Sequence, residues 1–255
     1  MNKCPAEQRQ RLLLDMLEVE GSINASEVAL QLNTTGATVR RDLNQLASKG
    51  LCKRTHGGAI RLTPATGSFD ERSKQLVREK QKLGELASSL LQPNQLIFID
   101  ASSANVSLAE RIPLDMGITV VTNSLHVALC LFNRGFTETI LVGGKVDNNV
   151  GGAIDTKALS DITGFYFHIV FIGVCAWSKE HGFSALNYAD AQFKQQLVKQ
   201  GGLSVVLFTQ DKTETYAPYA LMETSQVDYL VCGKQDCLKD LTLEVTNHGG
   251  QVLYT

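Results

Sequence analysis

Apolar residues follow two different rhythms along this chain. From about Pro5 to Glu20 the rhythm is helical, with Leu13, Met16, Leu17 and Glu20 spaced i, i+3, i+4, i+7 and Gly21 placed to end the helix. Asn24, with Glu27 three positions later, has the form of a capping box ahead of a second helix carrying Val28, Ala29 and Leu32. A tight turn at Asn33 and Thr34 leads to Thr35, at the N-cap of a third helix that Gly50 closes. Val39, Leu43 and Leu46 share one face of that helix, and the helical repeat puts Ala37, Arg41, Asn44 and Ser48 on the other. Behind it, Leu51–Arg54 and Ala59–Leu62 predict two short strands joined at Gly57 and Gly58. This order predicts a small winged helix-turn-helix over residues 1–62.

The stretch from Arg61 to Asp70 has no periodicity and contains Pro, Gly and Ser, which predicts an interdomain linker over 63–72. From 73 to 255 short apolar runs alternate with helical patterns. The runs are Gln95–Asp100, Ile118–Thr122, Thr139–Gly143, Ile169–Val174, Leu203–Phe208 and Val227–Cys232; the helical segments lie near 75–91, 103–112, 123–133, 156–164 and 187–200. Runs apolar throughout suit strands buried on both faces, so this part predicts an α/β domain with a mostly parallel sheet.

Charge is unevenly placed. Residues 35–61 hold Arg40, Arg41, Lys49, Lys53, Arg54 and Arg61 against the single acid Asp42, while the whole chain has net charge -2. On basic residues alone a solvated helix face is the plainer reading; the order of elements decides for DNA, whose phosphates such a patch would meet. Thr35 and Thr38 offer hydroxyls to phosphate, although Thr35 also serves as a cap, and Asp42 is better suited to holding a neighbouring Arg.

Composition excludes other classes. With 255 residues and 44% of them hydrophobic, the chain is long enough for about two globular domains. The absence of a long apolar run or apolar leader predicts a cytoplasmic protein with no membrane partner. Cys4, Cys52, Cys130, Cys175, Cys232 and Cys237 are scattered, with no C-x-x-C and no histidine cluster, so free thiols are expected and no metal or cofactor.

In the α/β part, polar residues gather just after the strands: Asp100, Ser102 and Ser103; Thr122 and Asn123; Gly143 and Gly144; Asp211 and Lys212. Ligands of open α/β sheets collect there, so these residues together suit a phosphorylated metabolite. Singly each has a structural reading: Ser103 and Asn123 as N-caps, the Gly pair as a turn, Lys212 as a solvated charge.

Thr38-Val39-Arg40-Arg41-Asp42-Leu43, Gly50-Leu51 and Thr55-His56-Gly57-Gly58-Ala59 together resemble the DeoR family of bacterial transcriptional regulators. The resemblance implies a third helix in the major groove and a wing near the backbone, with Ala37, Arg41 and Asn44 as base readers and Arg40, Lys53, Arg54 and His56 as phosphate contacts. It extends to the α/β part through Asp100, Thr122-Asn123, Gly143-Gly144, Phe171-Ile172-Gly173, Gly182, Ala191 with Lys194, and Lys212. There it implies a sugar-phosphate-sensing fold similar to ribose-phosphate isomerases and coenzyme A transferases, with Lys194 joining the effector residues. Departures include Ser102 where the family usually has Gly, Asp190 where it has Glu, and Thr209 and Asp211 where it has Asp and Ser, so the pocket is atypical.

The resulting expectation is a sequence-specific repressor, a homodimer or homotetramer on a double-stranded operator, controlled by a small phosphorylated sugar. The alternatives are a sugar-phosphate enzyme on the isomerase or transferase scaffold, for which no nucleophile with an adjacent base is present, and a DNA binder that needs no effector.

Overall fold

The amino-terminal apolar stripe closes around three helices and a three-stranded sheet. The computed structural model describes residues 5–20, 22–49, 51–55, 57–60 and 67–255. Within it α1 (Ala6–Glu20), α2 (Ala25–Gln31) and α3 (Gly36–Ser48) follow the predicted order. Asn24 caps α2 by accepting from the Ser26 N–H at 2.8 Å; the Glu27 half of the expected capping box is not formed among the described residues. Asn33 makes the turn with φ 47, and Thr35 caps α3 by accepting from the Thr38 N–H at 3.2 Å. Leu13, Leu17, Val28, Val39, Leu43 and Leu46 meet in one core.

The hairpin is shorter than expected and has a third partner. β1 (Ser22–Asn24) pairs antiparallel with β3 (Gly58–Ile60), which pairs on its other side with β2 (Lys53–Arg54). Three residues between two helices carry no detectable alternation, so β1 was hidden in the sequence. Its closeness explains Gly58, where an added Cβ would sit 1.7 Å from the Ile23 carbonyl oxygen. The expected strand positions Arg61 and Leu62 lie outside the described residues.

The predicted linker is corrected at its distal end. Ser68 and Glu71 form a reciprocal capping box that starts α4 (Phe69–Lys74), and Phe69 is buried in a stack on His126 with ring centroids 3.7 Å apart. A helix of six residues is too short to show periodicity, although its Ser-x-x-Glu signature was present.

The remaining chain builds a parallel sheet with all six predicted strands: β4 (Leu96–Ile99), β5 (Thr119–Thr122), β6 (Thr139–Leu141), β9 (Ile169–Phe171), β12 (Leu203–Phe208) and β14 (Tyr229–Cys232), joined by an unpredicted edge strand β15 (Gln251–Tyr254). The spatial order is β15-β14-β12-β9-β4-β5-β6 and each pairing is parallel. Helices α5 (Val77–Ser88), α6 (Ser103–Ala109), α7 (Leu125–Asn133), α8 (Thr156–Asp161) and α9 (Tyr188–Lys199) match the predicted segments; α10 (Lys239–Asn247) was missed.

Alternate strand residues enter two separate cores, Phe98, Val170 and Val206 on one face and Ile97, Ile169 and Val205 on the other. Burial on both faces is why the strands read as continuous apolar runs. Two small antiparallel elements also escaped the sequence reading: the pair β7 (Val146–Asp147) with β8 (Gly152–Ala153), and a sheet of β10 (Ala176–Ser178), β11 (Gly182–Ala185) and β13 (Tyr219–Met222). Among the described residues no helix is long and apolar enough to cross a membrane.

Candidate nucleic-acid interface and effector cavity

Helix α3 has one face in the core and one bare. Val39, Asp42, Leu43 and Leu46 are buried, whereas Thr35, Ala37, Arg40, Arg41 and Asn44 are exposed and Thr38 is half-buried. Arg40 and Arg41 make no ion pair among the described residues, so their charge is available to a partner. Asp42 points inward to Arg9 of α1, at 2.5 Å. Arg54 of the wing donates from Nε to Asn44 Oδ1 at 2.7 Å and from Nη1 to the Gly58 carbonyl, fastening the wing to α3. The Lys53 side chain and His56 lie outside the described residues.

The second site sits where the sheet changes direction. From β4 the chain steps outward to β5 and β6; from β9 it steps the other way to β12, β14 and β15. At the carboxyl ends of β4, β9 and β12 a cavity of about 330 Å³ opens, lined by Ala101, Ser102 and Ser103, by Gly173, Val174 and Cys175, and by Thr209, Asp211 and Lys212. Neighbouring strands diverge at such a switch point and leave room for a ligand. Helix α9 contributes Asn187, Asp190 and Lys194; α4 and α5 contribute Arg72 and Lys80; the loop after β7 adds Asn149 and Val150.

The four cations Arg72, Lys80, Lys194 and Lys212 face two lining acids, Asp190 and Asp211. Lys194 is committed: its Nζ lies 2.7 Å from Asp190 Oδ2 and 3.3 Å from Asp100 Oδ2, and Asp100 Oδ2 also accepts from the Gly173 N–H. Burial opposes the lysine's charge, but the two carboxylates outweigh it and push Lys194 above the usual lysine value. Asp190 is raised to about 6, first by burial and then by Asp100, against the pull of Lys194. The second oxygens, Asp100 Oδ1 and Asp190 Oδ1, are buried without a partner.

The other cations crowd one another. Lys80 is lowered to about 8 by burial and then by the nearby Lys212 charge, with Arg72 adding to it. Lys212 is lowered too, by burial first, with Arg72 and Lys194 contributing and Asp211 opposing. Arg72 donates to the Gly67 and Asn149 carbonyls at 2.7 and 2.6 Å, and Lys80 Nζ donates to the Arg72 carbonyl. Like charges gathered under partial burial are costly until an anion joins them.

The sequence profile described as DeoR C terminal sensor domain matches residues 75–234, and that described as DeoR-like helix-turn-helix domain matches residues 9–65. The chain belongs to the DeoR family. It is similar to the HTH-type transcriptional repressor GlcR of Bacillus subtilis, 28% identical over 88% of this chain and 87% of the relative. It is also similar to the lactose phosphotransferase system repressor of Lactococcus lactis, 32% identical over 68% of each. Among solved structures, ribose 5-phosphate isomerase A from Methanocaldococcus jannaschii matches 52% of each chain at TM-score 0.39 and 10% identity. This DeoR-family chain is a DNA-binding transcriptional regulator with a carboxyl-terminal sensor domain, not an enzyme.

In this DeoR-family chain the sequence-predicted effector residues divide. Ser102, Ser103, Lys194 and Lys212 line the cavity, and Asp100 stands behind them with its carboxylate on Lys194. Thr122 and Asn123 do not reach it. Thr122 donates to the Ile99 carbonyl, while Asn123 accepts from the Ala101 N–H and donates to the Ala153 carbonyl, so they shape the loop that carries Ser102.

Gly143 and Gly144 are also absent from the lining. Gly144 has φ 149 and an added Cβ there would meet Asp155 Oδ1 at 2.2 Å; the pair is a turn against the α8 cap. Arg72 and Lys80 were missed because they precede the strands and looked like linker and amphipathic helix. The Ser102 departure has a structural counterpart in Gly173, where an added Cβ would lie 2.5 Å from Ser102 Cβ.

Proposed function

We propose that the chain is a cytoplasmic, sequence-specific repressor that leaves its operator when a small phosphorylated sugar fills the cavity. The observation that carries this reading is the cavity's polarity. Arg72, Lys80 and Lys212 supply a cationic end suited to a phosphate, and the unpartnered Asp190 Oδ1 with Asn187 supplies an end suited to sugar hydroxyls. A buried acceptor with no donor costs free energy that a ligand hydroxyl would recover. The repressor sign is carried over from the printed names of GlcR and the lactose system repressor.

On the DNA side the reading places α3 in the major groove, with Ala37, Arg41 and Asn44 toward base edges and Thr35, Thr38, Arg40, Lys53, Arg54 and His56 toward phosphates. A phosphate that engages Arg72 contacts the helix directly following the segment that leads from the DNA-binding part, which gives the ligand a route to the operator complex. Such couplings are about 1 to 3 kcal/mol, or roughly 5- to 150-fold in affinity. The test is calorimetry of the full-length protein against pentose and hexose phosphates and their unphosphorylated parents, followed by release of a duplex selected from a random pool. Binding confined to phosphorylated sugars with loss of DNA affinity is expected; equal binding of the parent sugars would refute the cationic end as a phosphate site.

A further inference from the structure

One of the outward side chains of α3 is already engaged by the wing. Asn44 is exposed, and its Oδ1 accepts from Nε of Arg54 on β2 at 2.7 Å. A guanidinium can only donate, so the amide oxygen must be the atom that faces the wing, and the amide orientation is thereby fixed. Arg54 is itself held. Its Nη1 donates to the Gly58 carbonyl, which also accepts from the Thr55 N–H at 3.2 Å, and Arg54 pairs with Ala59 across the hairpin. Gly58 in turn lies so close to the Ile23 carbonyl of β1 that a Cβ would sit 1.7 Å from its oxygen. The half-buried guanidinium therefore reaches Asn44 from a position that the backbone of the wing and β1 sets.

We propose that Arg54 is a positioning residue that makes Asn44 a reader of guanine. The proposal rests on the placement of α3 in the major groove given above and adds which base Asn44 selects. An asparagine amide with both ends free pairs with adenine by two bonds, Oδ1 accepting from N6 and Nδ2 donating to N7. Here one lone pair of Oδ1 is taken by Arg54, and the other lies beside a positive charge that repels the adenine N6 amino group.

The other bases sort by the same rule. Guanine presents two acceptors in the major groove, O6 and N7, so Nδ2 has a partner and the guanidinium charge favours the whole edge. Cytosine sets its N4 donor against two donors. Thymine offers one acceptor next to a methyl group, which a polar amide and a cation contact poorly. Neither bond of Arg54 uses Nη2, so the phosphate contact proposed for this residue is kept.

Duplexes selected from a random pool by the full-length protein and by Asn44→Ala locate the base pair, as the one whose preference the substitution removes. The wild type should hold guanine there. In its selected duplex, hypoxanthine opposite cytosine keeps O6 and N7 and should bind as guanine does, whereas diaminopurine opposite thymine puts an amino group in place of O6 and should bind roughly fivefold or more weakly. This comparison needs no variant, so it stands even where a variant fails to fold. Arg54→Met, which keeps the stem and loses the donors, frees Oδ1; its preference at that one base pair should pass from guanine to adenine while all duplexes weaken together. A wing that only braced the helix would lower affinity without exchanging a base. Adenine in the wild-type selection, equal binding of the hypoxanthine and diaminopurine duplexes, or an Arg54→Met protein that keeps guanine overturns the proposal and leaves α3 in the groove. Asn44→Ala with unchanged preference at every base pair removes Asn44 from base reading, and the proposal with it.

Discussion

Arg9 on α1 donates from Nε to the Asp42 carboxylate on α3 at 2.5 Å, and both side chains are largely buried. The pair locks the first helix to the third and turns Asp42 inward, while its neighbours Arg40 and Arg41 point out. Asp42→Ala removes a buried carboxylate and its bond to the partly buried Arg9 guanidinium, and should lower the stability of the amino-terminal unit by about 1 to 3 kcal/mol. Urea unfolding followed by circular dichroism measures this, and Asp42→Asn, which keeps an acceptor, should lose less.

The outward arginines should separate by kind of effect. Arg41→Ala is expected to cost about 1 to 3 kcal/mol of operator affinity and to relax sequence preference, whereas Arg40→Ala should weaken all duplexes alike and reduce the salt slope by about one. Binding isotherms over a salt series distinguish the two. Arg41→Ala with an unchanged preference would remove that residue from base reading.

Gly58 sets the approach of the wing to β1. Gly58→Ala forces Cβ against the Ile23 carbonyl and should cost about 1 to 3 kcal/mol in stability, with weaker DNA binding from the displaced Arg54. Gly57→Ala, whose added Cβ meets nothing closer than 3.6 Å, should cost less. Thermal melts of the two variants provide the comparison.

Effector binding should be bell-shaped in pH. Lys80 loses its proton near pH 8 in the free protein, and an anion favours the charged form, so binding takes up a proton and affinity falls as pH rises through 8. A phosphate monoester loses its second proton near pH 6, so affinity also falls below about 6. Calorimetry in buffers of different ionisation enthalpy reads the proton uptake at pH 8, and Lys80→Met should abolish it.

The Asp100, Lys194, Asp190 cluster gives a stability signature of its own. Asp190, raised to about 6, holds its proton in the fold where the unfolded chain has released it, so its contribution to stability is present at low pH and is lost as pH rises from about 4 through 6. Lys194→Met removes the charge that holds Asp190 down, so Asp190 should keep its proton to higher pH than in the wild type; the variant should cost about 3 to 5 kcal/mol at pH 7, and less at pH 5, where Asp190 is protonated in both. Thermal melts at the two pH values check both sign and size.

Strong periodicity made α1, α3, α9 and the central strands readable, because each is long enough for its apolar positions to repeat. The exposed face of α3 was readable for the same reason: once Val39, Leu43 and Leu46 are assigned inward, Ala37, Arg41 and Asn44 have one place to go. The linker boundary, β1 and the small antiparallel sheet were not, since two to six residues cannot show a period. Thr122, Asn123, Gly143 and Gly144 stay out of the cavity lining for another reason. They do follow strands, but β5 and β6 lie on the far side of the switch point and their polar groups tie loops together.

What the chain determined by itself is local: which segments are helix or strand, where caps and turns fall, and which side of α3 carries charge. These depend on neighbours within a few residues, so they are written in the order of amino acids. Tertiary structure decided what depends on distant segments meeting. It brought Arg72 and Lys80 from the first helices of the sensor domain to the ends of β4, β9 and β12, paired Arg9 with Asp42, and placed Lys194 between two carboxylates ninety residues apart in sequence. Charge and burial act through space, and only the fold sets which charges share it.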